Sequence, residues 1–112
     1  MASRKDLKEQ QAADALSALG SRTRLRIFKL LVRAGRDGAN VGTIQRLIDV
    51  PATTLAHHLG TLAEAGLVDQ ERRGREVICT VNYRALNDVL GYLKVECCAG
   101  LESSESAGSE AT

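Results

Sequence analysis

The clearest pattern of apolar and polar positions lies in residues 51–65 and predicts an amphipathic helix. At about 100° per residue, its leucines share one face and its polar side chains fall on the other. The leucine face comprises Leu55, Leu59 and Leu62, and the outward face comprises Thr53, His57, Gly60, Thr61 and Glu64. Pro51 disfavours helical geometry at Val50 and suits the first turn of a helix, so a tight turn precedes this helix. Gly66 suits the left-handed conformation that ends a helix.

Residues 67–81 follow with the periodicity of a β-hairpin. Val77, Cys79 and Val81 lie two residues apart, as expected for a half-buried strand. Arg73 and Gly74 supply the hairpin tip. Three arginines cluster at this tip: Arg72, Arg73 and Arg75.

Four further helices are predicted from apolar spacing and capping residues. The first covers residues 5–19 and ends at Gly20, and Ser21 caps a second that continues to about residue 34. A polar loop over residues 35–40 precedes a helix over residues 41–48, which pairs with the amphipathic helix across the turn. Asn82 begins a final helix that ends at residues 99–100. The order of these elements predicts a mainly α-helical fold with a small β-hairpin, the winged helix-turn-helix.

Apolar residues predict which helix surfaces are buried. The first helix has an apolar side formed by Leu7, Ala15, Leu16, Ala18 and Leu19. The second is expected to be buried over most of its circumference, through Leu25, Ile27, Phe28, Leu30, Leu31 and Val32. Its remaining stripe is basic and comprises Arg22, Arg26, Lys29 and Arg33. The final helix repeats apolar residues at helical spacing, at Leu86, Val89, Leu90, Leu93 and Cys97.

Length and composition indicate one small domain over residues 1–100, stabilised by a partner subunit. A single Pro and 3% aromatic residues favour a largely helical, aliphatic fold. Residues 101–112 are acidic and rich in Ser and Glu, and they are expected to form a disordered tail. The chain has no signal-peptide pattern and no apolar run of about 18 residues, so we expect a cytoplasmic protein without a membrane segment.

The charge distribution favours a polyanionic partner. The formal net charge is +1, but three acidic residues lie after Leu101, where there is no Lys or Arg. Between Gly20 and Ile48 there are seven basic residues and only one acidic residue, Asp37. Such an excess of positive charge suits nucleic acid.

Three segments in this order resemble the ArsR family of arsenic- and metal-responsive repressors, across residues 12–100. ALGSRTRLRIF at residues 18–28 is similar to the second-helix signature of that family, and VPATTLAHHL at residues 50–59 is similar to its recognition helix. The AGLV turn at residues 65–68 and the RGR wing at residues 73–75 complete the resemblance.

The resemblance implies a homodimer joined through the first and last helices. It further implies that the dimer represses an operon by binding double-stranded operator DNA until an inducer releases it. The family's zinc-binding patterns are missing from the sequence, because residues 41–48 contain no Cys-x-Cys and the final helix contains no His. Zinc sensing through the final helix is therefore disfavoured.

Hydrogen-bonding side chains near the outward face of the recognition helix are the candidates for contacts to DNA bases. These are Thr53, Thr54, His57 and Thr61. The hairpin arginines Arg72, Arg73 and Arg75 are expected to meet phosphates or the minor groove. His58 lies on the flank of the helix, where we expect it to pack or to contact a phosphate rather than bind an effector.

Cys97 and Cys98 are the candidate inducer site. Cys97 continues the apolar stripe of the final helix, whereas packing does not explain Cys98. Neighbouring thiolates suit a soft thiophilic ion such as trivalent arsenic. Because two protein sulfurs leave one position on arsenic open, the predicted inducer is either arsenite or methylarsenite, and no resident cofactor is required.

Cys79 is expected to pack within its strand. The helix from Tyr83 to Cys97 would be about 21 Å long, which separates Cys79 from the cysteine pair within one subunit. A contact across the dimer is the alternative.

Two other functions fit the same residues. The cysteine pair could act as a redox or persulfide switch in a DNA-binding repressor, although adjacent cysteines form only a strained disulfide. Alternatively, the winged helix could be a protein-interaction module with inert cysteines. An enzyme is not expected, because the sequence has neither the spacing of a catalytic triad nor a phosphate-binding loop.

Overall fold

The computed structural model describes the backbone of residues 4–99 and the side chains of residues 8–94. It contains five α-helices and a three-stranded antiparallel sheet. The helices are α1 (Arg4–Leu19), α2 (Arg22–Ala34), α3 (Val41–Ile48), α4 (Ala52–Glu64) and α5 (Tyr83–Ala99). The strands are β1 (Ala39–Asn40), β2 (Val68–Arg73) and β3 (Glu76–Val81), with a turn of 3₁₀-helix at Gly35–Asp37. The predicted tail, residues 101–112, lies outside the described residues.

Side-chain caps fix the starts of three helices. The Ser21 hydroxyl accepts a hydrogen bond from the backbone N–H of Arg24 at 3.3 Å. Asn82 likewise accepts from the N–H of Ala85 at 3.0 Å, at the start of α5. Both residues were predicted to begin helices because short polar side chains satisfy N–H groups that have no partner within the helix. Asn40 caps α3 in the same way.

The turn between α3 and α4 depends on one left-handed residue. Asp49 has φ 61° and ψ 59°, and its N–H donates to the Gln45 carbonyl at 2.8 Å. Asp tolerates this conformation better than most residues do. Pro51 has φ −58° and is the N-cap of α4, one position before the helix that the sequence predicted to begin at residue 51. The α3–turn–α4 unit is therefore a helix-turn-helix.

The end of α4 also follows the prediction. Gly66 has φ 82°, and its N–H donates to the Ala63 carbonyl at 3.0 Å. The next N–H, that of Leu67, donates to the Leu62 carbonyl at 3.1 Å. These two bonds satisfy carbonyls at the helix end and turn the chain into β2.

The sheet has one strand more than the predicted hairpin. Its order is β1-β3-β2, with Ala39 opposite Cys79 and Asn40 opposite Ile78. The expectation of a simple loop at residues 35–40 was wrong at its last two positions. A strand of two residues has no periodicity to detect, and only its pairing with β3 defines it.

The core is built from one face of each helix and the inner face of the sheet. The buried residues include Ile27, Phe28 and Leu31 of α2, Ile44 and Ile48 of α3, and Leu55, Leu59 and Leu62 of α4. The sheet and α5 add Val68, Cys79, Val81 and Val89. In residues 8–94, the buried side chains of α1 are those of Ala12, Ala15 and Ala18, and Leu19 packs partly buried against the same core.

Burial of α2 over most of its circumference was a wrong expectation. Leu25 and Val32 are 44% and 41% exposed, because α2 packs on the core through one face only. Leu16 of α1 and Leu90 and Leu93 of α5 are also exposed in the single chain. Among the residues that the structure describes, no helix is both long enough and apolar enough to cross a membrane.

Candidate nucleic-acid interface

The outward face of α4 carries the predicted DNA-contacting residues. Thr53, Thr54 and His57 are all exposed. On the opposite face Leu55, Leu59 and Leu62 are at most 1% exposed. Since three buried leucines fix the rotation of the helix, its polar residues have a defined orientation towards solvent.

Thr61 differs from the other three candidates on this helix. It is half-buried, and its hydroxyl donates to the His57 carbonyl at 3.1 Å. This bond back to the preceding turn is common for Thr in a helix. Its hydroxyl proton is therefore engaged within α4, which leaves the oxygen as an acceptor.

The arginines of the hairpin tip are exposed. Arg72 and Arg73 end β2, and Arg75 follows Gly74, which adopts φ 64° in the turn. The Arg73 guanidinium contacts the Glu71 carboxylate through two N–H groups, at 3.0 and 3.2 Å. Both side chains are more than half exposed. Such a pair contributes about 0–1 kcal/mol, so a phosphate can replace Glu71 at little cost.

The two groups of candidate residues lie on elements that pack together. Helix α4 packs against β2. At the start of β2, the Leu67 carbonyl accepts a hydrogen bond from the Asn82 N–H at 2.8 Å. This bond holds the start of β2 beside the chain that leaves β3. The wing is therefore attached to α4 through a short, hydrogen-bonded connection.

Arg24 is a structural residue that the sequence analysis missed. Its Nε donates to the Ala18 carbonyl at 2.7 Å, near the end of α1. Its Nη1 lies 3.1 Å from Nδ1 of His58 on α4. One guanidinium thus joins three helices of the fold. Its spacing on α2 could have indicated this role. Arg24 precedes Ile27, Phe28 and Leu31 by three, four and seven residues, so it lies on the buried face of the helix.

The contact with Arg24 favours the neutral form of His58. A guanidinium can only donate, so Nδ1 of His58 must be an unprotonated acceptor. Partial burial, the charge of Arg24 and the charge of His57 all lower the pKa of His58, in that order of importance. His58 therefore packs against Arg24, which is one of the two roles expected for it.

Cys79 is a packing residue, as predicted. It is 0% exposed, and burial raises the pKa of its thiol against the opposing effect of a hydrogen bond from Gln70. The Gln70 Nε2 and the Cys79 sulfur are 3.8 Å apart. A protonated thiol inside the sheet is a poor ligand for a soft ion.

The predicted inducer site, Cys97 and Cys98, is near the end of α5. Cys97 and Cys98 fall within the last turns of α5, but their side chains lie outside the described residues. Among the side chains of residues 8–94, no three His, Cys, Asp or Glu residues are close enough together to hold a metal ion.

Comparison with known proteins identifies the family. A family model described as a helix-turn-helix domain matches residues 19–71. The chain is 37% identical over 67 residues to an uncharacterised HTH-type transcriptional regulator, MJ1325 of Methanocaldococcus jannaschii, covering 60% of this chain and 73% of that protein. It is 28% identical over 85 residues to the HTH-type transcriptional regulator YgaV of Escherichia coli, covering 76% and 84%.

Two solved structures have the same architecture. An ArsR-like transcriptional regulator from Rhodococcus sp. RHA1 is 27% identical and superimposes with a TM-score of 0.68, covering 77% of this chain and 78% of that one. The homodimeric winged helix-turn-helix DNA-binding domain of Mb0332 from Mycobacterium bovis, a possible ArsR-family regulator, is 25% identical with a TM-score of 0.67. That match covers 85% of this chain and 87% of the domain.

These relatives are regulators of transcription and not enzymes, which agrees with the sequence-based expectation. The order of elements, the buried leucine face of α4 and the exposed basic wing are those expected from the family resemblance of residues 12–100. The chain therefore belongs to the ArsR family of winged helix-turn-helix transcriptional regulators.

Proposed function

We propose that the protein is a homodimeric repressor that binds double-stranded operator DNA and is released from it by a trivalent arsenical. The observation that carries the DNA-binding part is the geometry of α4. Its exposed Thr53, Thr54 and His57 are opposite three buried leucines. Hydroxyl and imidazole groups can hydrogen-bond to base edges in the major groove.

The wing supplies a contact that does not depend on base sequence. Arg72, Arg73 and Arg75 are exposed at the hairpin tip. Arginines in this position neutralise phosphates and release counterions, which gives affinity for any duplex. Base contacts from α4 would then provide the preference for the operator.

Fluorescence anisotropy can separate these two roles. Operator fragments are first selected from a random-sequence pool with the purified protein, and affinity is then measured on the operator and on random duplex. We expect Arg73→Ala and Arg75→Ala to weaken both affinities similarly and to reduce the salt dependence. His57→Ala should instead reduce the ratio of operator affinity to random affinity. An unchanged ratio for His57→Ala would show that α4 does not contact the bases through this side chain.

Exposed leucines on α1 and α5 support dimerisation. Leu16, Leu90 and Leu93 are 44%, 53% and 43% exposed, and α1 packs beside α5. Exposed large apolar side chains on two packed helices are typical of subunit interfaces. The Mb0332 domain is homodimeric. Leu90→Asp should therefore yield monomers in analytical ultracentrifugation, because it places an unpaired charge in the interface. Leu47→Asp, at a similarly exposed leucine of α3, is the matched control and should remain dimeric.

Adjacent thiols in α5 support the response to arsenic. Cys97 and Cys98 lie in the last turns of the helix proposed to form the dimer interface. Trivalent arsenic binds thiolate sulfur, and two neighbouring cysteines provide two ligands. A bound arsenical would disturb the end of α5 and favour a dimer that binds DNA less well, with a coupling of about 1–3 kcal/mol.

Cysteine variants test this mechanism on operator-bound protein. Cys97→Ser and Cys98→Ser should each bind the operator but no longer release it when arsenite or methylarsenite is added. Cys79→Ser is the control, because Cys79 is buried in the sheet. If Cys79→Ser also abolished the response, the site would contain a third protein sulfur. Release by persulfide but not by arsenicals would overturn the proposed inducer.

A further inference from the structure

A groove of about 820 Å³ lies between α2, α3 and the edge of the sheet. It does not include any of the residues proposed above to contact DNA or arsenic. Most of its surface is apolar, formed by Leu30, Ala34, Ala39, Leu47, Ile48 and Ile78. The volume suits a small organic molecule rather than a single ion.

One leucine makes the apolar surface of this groove unusual. Leu47 is 60% exposed, although it belongs to a helix whose neighbouring apolar residues Ile44 and Ile48 are buried. It is the most exposed large apolar side chain among residues 8–94. A hydrocarbon group lying in the groove would cover this side chain and remove apolar surface from water.

The rim of the groove carries positive charge. Arg26, Lys29 and Arg33 line it, and all three are exposed. Because they are spaced by three and four residues on α2, their side chains project from one face of the helix. None of the described residues that line the groove carries a carboxylate, and the Glu76 carboxylate, which accepts from the side-chain amide of the lining Asn40 at 3.4 Å, lies outside this set. An anionic group is therefore the charge that this rim would attract.

We propose that this groove binds an amphipathic anion, namely a carboxylate that carries a hydrocarbon chain. The carboxylate would pair with the cations of α2, and the chain would lie against Leu47 and Ile78. The walls belong to α2, to α3, which is the first helix of the helix-turn-helix, and to β1 and β3, of which β3 is a strand of the wing. A ligand in the groove therefore contacts both DNA-binding parts and can favour one relative position of them.

The groove wall has little freedom to deform at its sheet edge. Gly38 adopts φ +70°, and a Cβ atom there would overlap the Cys79 carbonyl oxygen and the Thr80 methyl group. This close approach keeps the chain entering β1 against β3. A change in the groove would consequently be transmitted to α3 rather than absorbed at β1. This effect on DNA affinity rests on the proposed function, whereas ligand binding does not.

The probe for the binding step is octanoate, titrated into the reduced full-length protein and followed by ¹H–¹⁵N NMR. Acetate tests the anionic group alone, and octanol tests the hydrocarbon alone. We expect octanoate to shift the amide signals of Leu30, Leu47 and Ile78 in a saturable manner. Acetate and octanol should bind at least about tenfold more weakly, since each lacks one half of the interaction. Equal affinity for octanoate and either partial probe would overturn the proposal.

Matched variants locate the site. Arg33→Glu and Leu47→Ser should each weaken octanoate binding by about tenfold or more. Arg22→Glu and Val32→Ser change exposed residues of α2 that do not line the groove, and they should leave the affinity unchanged. All four positions are exposed, so the variants are expected to fold. Equal losses in the control variants would place the ligand elsewhere.

The effect on DNA is measured separately, by anisotropy with and without octanoate. Octanoate should change the operator affinity of the original chain but not that of Leu47→Ser. If octanoate does not bind and Arg33→Glu weakens binding to random duplex, the rim cations contact DNA phosphates and the proposal is wrong. If octanoate binds in the groove and the protein does not bind DNA at all, the proposed function fails while the ligand site stands.

Discussion

Arg24 offers the most direct test of how this fold positions its recognition helix. Its hydrogen bond to the Ala18 carbonyl is 2.7 Å long, and Ala18 is buried. Hydrogen bonds that involve a charged group contribute about 1.5–3 kcal/mol. The second contact, to Nδ1 of His58 at 3.1 Å, is longer and, like the first, partly buried, and it should contribute about 0.5–1.5 kcal/mol. Arg24→Ala is thus expected to lower the free energy of unfolding by about 2–4 kcal/mol.

This loss is large relative to the stability of about 5–15 kcal/mol that is typical of natural domains. Urea denaturation at a fixed protein concentration measures it, because the stability of a dimer depends on concentration. Arg24→Lys should recover about half of the loss, since an ammonium group can replace one contact but lacks the planar fork needed for both. Arg22→Ala is the control, and a change at this exposed residue of the same helix should stay within about 0.5 kcal/mol.

A double-mutant cycle with His58→Ala isolates the contact between α2 and α4. The coupling energy between Arg24→Ala and His58→Ala should be at least about 0.5 kcal/mol, as expected for residues in contact. Additive losses would mean that the two side chains do not interact in solution. If Arg24→Ala unfolded at the same urea concentration as Arg22→Ala, Arg24 would not stabilise the packing of the three helices in solution.

Three further predictions follow from single residues. The neutral form of His58 is favoured in the folded chain, since its pKa is lowered from 6.5. Its contribution to the free energy of unfolding is therefore complete above pH 6.5 and is lost as the pH falls through the lowered pKa. Urea denaturation at several pH values should show this dependence in the original chain and not in His58→Gln. Gly38→Ala should lower the free energy of unfolding by about 1–3 kcal/mol, because the new Cβ is strained at positive φ and overlaps β3. Gly60→Ala should raise it by about 0.5–1 kcal/mol, because a Cβ at that position of α4 meets no described atom within 4 Å. Leu62→Ala should lower the free energy of unfolding by about 2–5 kcal/mol, because it leaves a cavity at a fully buried position. Leu47→Ala, at a 60% exposed position, should change thermal stability little.

Much of the architecture could be predicted because the signals that determine it are local. Ser21 and Asn82 begin helices through bonds to N–H groups three residues away. Gly66 ends α4 because a residue without Cβ adopts positive φ at little cost. The spacing of leucines in α4 determined which face is buried, and hence which polar residues are exposed as candidates for contacting DNA. Each of these features depends on residues within about one or two helical turns.

The remaining features depend on residues that are distant in sequence, and only the tertiary structure determined them. The β1 strand exists because Ala39 pairs with Cys79. The contact between Arg24 and His58 spans 34 positions, so no local pattern indicates the partner. Leu25 is exposed although Ile27, Phe28 and Leu31 of the same helix are buried, because the hydrophobic effect favours removing a side chain from water without specifying which surface covers it. The packing of whole helices against one another decides which apolar side chains are covered. The same packing leaves the groove beside Leu47 open to solvent.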